Sequence, residues 1–87
     1  MNILENTEDK DIVEAYTALL NTLVDRDKYD KELQVKIASI PDPPRTGDSF
    51  IDLFLIACSV RSYCELFPEV KELVEIEIFR SRLSKLL

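Results

Sequence analysis

Two cysteines, Cys58 and Cys64, are the only strong nucleophiles in this chain, and both lie in the stretch LFLIACSVRSYCELF (Leu53 to Phe67). Six residues apart on a helix, they sit about 9 Å apart along the axis and point in different directions, which precludes a bond between them. Nor is the spacing that of a Cys-x-x-Cys redox or zinc motif. Both read as small apolar side chains inside a fold. The chain has no histidine, which removes the usual general base near neutral pH and the Cys–His and Ser–His pairings. Glu72, Glu75 and Glu77 could act as acids or bases if buried, but they fall on polar arcs of the helical wheel and read as solvated charges. No catalytic residue, cofactor or metal site is assigned, and the expectation is that the protein is not an enzyme.

Other motifs are weaker still. DRDKYDKE (Asp25 to Glu32) spaces Asp25, Asp27 and Asp30 like a calcium loop, yet Tyr29 stands where an oxygen ligand belongs and the central glycine is missing. Asp25, Asp27, Asp30 and Glu32 are better read as an acidic surface facing a partner. RTGDS lacks the glycines and lysine of a phosphate cradle. PDPPR supplies Pro41-x-x-Pro44 beside Arg45, a stiff exposed segment in which Pro43, Pro44 and Arg45 could meet a partner.

The elements carrying these residues read as helices. Ile12, Tyr16, Leu19, Leu20 and Leu23 recur at helical spacing behind the acidic start Glu8, Asp9 and Asp11, predicting a helix over 8–25. Tyr29, Leu33, Ile37 and Ile40 share a stripe, predicting a shorter helix over 28–39. Leu33, Val35 and Ile37 also alternate, as does VEIEIF, so an α+β fold with strands near 33–37 and 74–79 is the structural alternative. Three prolines make 41–48 a connector. Ser49-x-x-Asp52 reads as a capping box opening a helix over 49–66, and Pro68 begins a last helix over 68–86. Together these predict one all-α domain over 1–87, a small four-helix bundle. The single glycine argues against tight hairpins and an all-β fold.

Composition limits the function. The uncharged apolar run from Leu53 to Val60 has eight residues, far short of the about 20 that a bilayer requires. The first residues resemble no secretory signal, so the expected location is cytoplasmic. A net charge of −6 disfavours nucleic acid, whose binding draws on Lys and Arg. A helix-turn-helix regulator, with Arg80, Arg82 and Lys85 on the last helix, is the alternative; glutamates occupy the end that would enter the groove.

The apolar surplus is more telling. On the last helix Val70, Leu73, Val74 and Ile78 form one face, whereas Ile76, Phe79, Leu83 and Leu86 lie nearly opposite. Each large side chain left wet forgoes roughly 1.5–3 kcal/mol. The expectation is a homodimer using Phe54, Ile76, Phe79, Leu83 and Leu86, acting as an acidic module that binds or inhibits a larger, basic protein partner.

Overall fold

A computed structural model describes residues 3–23 and 30–86. Its elements are α1 (Asp9–Thr22), α2 (Lys31–Ala38), α3 (Ser49–Leu66) and α4 (Pro68–Leu86), and no strand occurs among the described residues. The fold is an all-α bundle, as the periodicity predicts. The strand alternative fails at both places, since 33–37 lies in α2 and 74–79 in α4. In α4 the buried residues are spaced for a helix: Val70, Val74 and Ile78 are fully enclosed at intervals of four.

The helix ends follow local chemistry. α2 starts at Lys31, because the Asp30 carboxylate accepts from the Leu33 amide at 2.8 Å and fixes the cap there. The first helix begins one residue later than expected and is closed by Leu23; Val24, Asp25, Lys28 and Tyr29, included in the predicted helices, lie outside the described residues. α3 and α4 keep their predicted bounds. Phe67 leaves helical geometry at φ −129°, ψ 89°, as the residue before a proline should.

The start of α3 is built differently from the capping box. Asp48, not Ser49, is the cap, accepting from the Phe50 and Ile51 amides at 2.9 and 3.2 Å. The Asp52 carboxylate instead accepts from the Thr46 amide and hydroxyl at 2.7 and 2.9 Å. Those bonds, the backbone one foremost, hold its pKa below the usual aspartate value. The turn between them needs the chain's one glycine, since Gly47 has φ 92°.

α1 is the central element, packing most extensively on α4 and α3. It contributes Ile12, Ala15, Tyr16 and Leu19, the i, i+3, i+4, i+7 face of a helix. Around it close Ile37 of α2, Ile56, Ala57, Val60 and Cys64 of α3, and the inner face of α4. Leu4 is buried as well, because Arg61 of α3 reaches back to the amino-terminal turn. Its guanidinium donates to the Leu4 and Thr7 carbonyls at 3.1 and 2.8 Å and pairs with Asp9 at 2.6 Å. The one cation inside the apolar stretch is therefore a clamp between α3 and the start of α1.

α2 is strapped to the α3–α4 junction. The Tyr63 hydroxyl donates to the Lys36 carbonyl at 2.6 Å, and the Lys36 ammonium pairs with Glu69. The same ammonium stands 5.9 Å from the centre of the Phe67 ring, which stacks tilted on Tyr63 at 4.6 Å.

Candidate interaction surface

The core leaves a large apolar remainder outside. On α4, Ile76, Phe79, Leu83 and Leu86 are 44%, 46%, 61% and 82% exposed. At 100° per residue the four fall within one arc of roughly 80°. The opposite face carries Val70, Val74 and Ile78 into the core. From Arg82 to Leu86 every residue is exposed, and Lys85 stands 3.7 Å from Asp11 and 4.0 Å from Glu14 of α1. Ion pairs this open contribute little.

A second apolar area lies on the first half of α3, where Phe50, Ile51 and Phe54 are exposed. α3 is covered along one face, through Ile56, Ala57, Val60 and Cys64. Phe50, the most exposed large apolar residue of the described chain, was not singled out from the sequence. Its position at the start of α3, before the core-facing stripe begins, was the available signal.

Asp25 and Asp27 lie outside the described residues. Asp30 caps α2, and Glu32 stands exposed, 3.7 Å from Lys36. Pro44 and Arg45 are exposed and Pro43 is half-buried. The Arg45 guanidinium is turned onto its own loop, bonding Asp42 at 2.9 Å and the Pro43 carbonyl at 3.1 Å. This connector also lies near α1: burial first, then the Asp42 carboxylate, push the Tyr16 phenol pKa up.

Burial of the two cysteines differs. Cys64 is enclosed, and Cys58 is half-buried. Desolvation, followed by the nearby Glu75 carboxylate, pushes the Cys64 thiol up to about 11, which suppresses the thiolate needed for nucleophilic chemistry. Among the three glutamates read as solvated, Glu77 is in fact buried. Its carboxylate is 3.2 Å from Arg80, and it borders a small cavity between α1 and α4 together with Glu14, Ala15 and Ala18.

The described residues include no cluster of three potential metal ligands and no helix long and apolar enough to cross a membrane. Comparison with family models, with curated proteins and with solved structures returns no match.

Proposed function

We propose that this chain is a small acidic protein-interaction module that acts as a homodimer and binds or inhibits a larger, basic protein. The observation carrying this reading is the apolar surface left on α3 and α4 after α1 has filled the core. Interfaces draw most of their affinity from a few large anchors, aromatic ones foremost, and Phe50, Phe54 and Phe79 are of that type. The net charge of −6 favours a basic partner by speeding encounter.

The helix-turn-helix alternative is weaker. Two of its three cations on α4 are engaged, Arg80 with Glu77 and Lys85 with Asp11 and Glu14. At the opposite end, which would enter a groove, stand Glu69, Glu72 and Glu75.

The test is co-purification from the native host under low salt, comparing the wild type with a Phe50→Asp, Phe54→Asp variant whose fold is checked by circular dichroism. A basic protein retained by the wild type and lost with the variant is the expected result. Equal recovery by both, or no protein recovered by either, overturns the docking role.

A further inference from the structure

We propose that the outer face of α4 is a parallel, in-register seam that pairs with the same face of a second copy. This rests on the homodimer reading above and goes on to fix its helix, orientation and register. Ile76, Phe79, Leu83 and Leu86 are spaced 3, 4 and 3 residues apart, the alternation of a and d positions in a two-stranded coiled coil. All four are exposed. Ile76 at a and Leu86 at d match the pattern that favours two strands, whereas Leu83 at a and Phe79 at d do not.

The flanking charges choose the orientation. With Ile76 and Leu83 at a, Glu75 and Arg82 occupy g, and Arg80 occupies e. In a parallel pair each g residue faces the partner's e residue five places on. Glu75 then faces Arg80 of the second copy, and Arg80 faces its Glu75, giving two attractive contacts. An antiparallel pair matching the same four apolar residues has its twofold axis at Ser81. That places Arg80 and Arg82 of both copies around one point, four like charges together. Arg80 already bonds Glu77 through one guanidinium nitrogen, and its fork of five donors leaves others for a second carboxylate. Glu75 lies 3.9 Å from Lys71, a separation loose enough to share.

The area sets the strength. Taking about 200 Å² for each whole residue, the four side chains expose about 450 Å² per copy, or about 900 Å² in the pair, below the about 1,200 Å² of stable complexes. The dimer is therefore weak and reversible. The end of α4 is already helical, so pairing carries little ordering cost.

The experiment is thiol exchange combined with sedimentation. In a Cys58→Ser background, with enclosed Cys64 left in place, Leu86→Cys and Ser84→Cys variants are equilibrated in a glutathione redox buffer. Sedimentation of the untagged parent over about 1 μM to 1 mM measures association directly. The expected result is a concentration-dependent dimer in which Leu86→Cys forms at least tenfold more disulfide-linked dimer than Ser84→Cys, since a parallel register brings residue 86 beside its copy. Raising the salt should weaken this dimer by screening the Glu75–Arg80 contacts. A dimer in which Leu86→Cys cross-links no better than Ser84→Cys overturns the register and orientation and leaves the homodimer reading standing. A monomer throughout the series overturns both.

Discussion

The two faces of α4 are nearly matched in residue type and opposite in fate. Val70, Val74 and Ile78 lie fully inside the core, while Ile76, Phe79, Leu83 and Leu86, a half-turn around the same helix, remain in solvent. Hydropathy alone does not separate the two sets. Angular phase relative to α1 does, since one central helix can cover only one stripe of each neighbour. A helix that is apolar on both sides of an 87-residue chain thus has an inner face that specifies the fold and an outer face with no role in it.

The sharpest way to break that distinction is to place the same charge on each face. Val74→Asp puts an unpaired carboxylate among core side chains, a cost of at least about 4 kcal/mol, which removes most of the stability of a domain at the lower end of the usual range of about 5–15 kcal/mol. Leu83→Asp should change the stability of the isolated monomer by less than about 0.5 kcal/mol while abolishing self-association. Urea denaturation at low protein concentration, paired with sedimentation at high concentration, checks both. If Leu83→Asp unfolds the monomer, the outer face is part of the fold and the distinction is lost.

A smaller effect concerns what holds α3 and α1 in place around the inner face. Arg61→Ala removes three charge-assisted contacts, to Leu4, Thr7 and Asp9, and should cost about 2–3 kcal/mol in urea denaturation. Arg61→Lys should rescue only part of this, because a point ammonium cannot span two carbonyls and a carboxylate as the planar fork does. Full rescue would mean that charge alone, without fork geometry, secures the amino-terminal turn.

Much of this arrangement was legible in the sequence because it rests on signals a few residues long. Pro68 fixes the α3–α4 junction, and the opposed stripes of α4 follow from a wheel. What was not legible depends on neighbours in space. Asp48 and Ser49 are both good caps, and the choice between them is made by Thr46, which engages Asp52 and leaves Asp48 to cap. Glu77 lies on a polar arc of the wheel, yet is buried where α4 packs on α1. The role of Arg61 required knowing that the first turn folds back on α3. A cation in the midst of an apolar helix was the one sequence signal that it needed partners.

The Lys36–Glu69 pair ties α2 to the first turn of α4 and gives that contact a pH signature. The hydrogen bond from Lys36 is the largest cause of a lowered Glu69 pKa, and the bond to Glu69 is the largest cause of a raised Lys36 pKa. A lowered carboxylate stabilises the fold above its ordinary pKa of about 4.3, and that contribution fades as pH falls through its folded value. A raised lysine stabilises below its ordinary value of about 10.4, and that contribution fades as pH climbs through the folded value. Glu69→Gln should therefore narrow the stability difference from wild type at both extremes and leave it greatest near neutrality. Denaturation midpoints at about pH 3, 7 and 11 measure this; a variant difference unchanged across that range would show that the pair does not couple α2 to α4.

The smallest effect distinguishes the two faces of α3 by their thiols. Cys64 lies on the inner side, and burial with the neighbouring Glu75 carboxylate pushes its pKa up to about 11. Cys58 is half-buried toward the outer side. At pH 8 a small aromatic disulfide should label Cys58 at least about tenfold faster than Cys64, and urea should bring the two rates together. The raised pKa also makes the folded state hold its proton where the unfolded chain releases it. Stability from Cys64 is thus complete below the ordinary thiol pKa of about 8.5 and declines as pH rises toward 11. Equal labelling rates in the folded protein would mean that α3 turns or opens enough to present its inner face. The division into a covered and an uncovered side, on which the two faces of α4 also depend, would then describe only one of the chain's conformations.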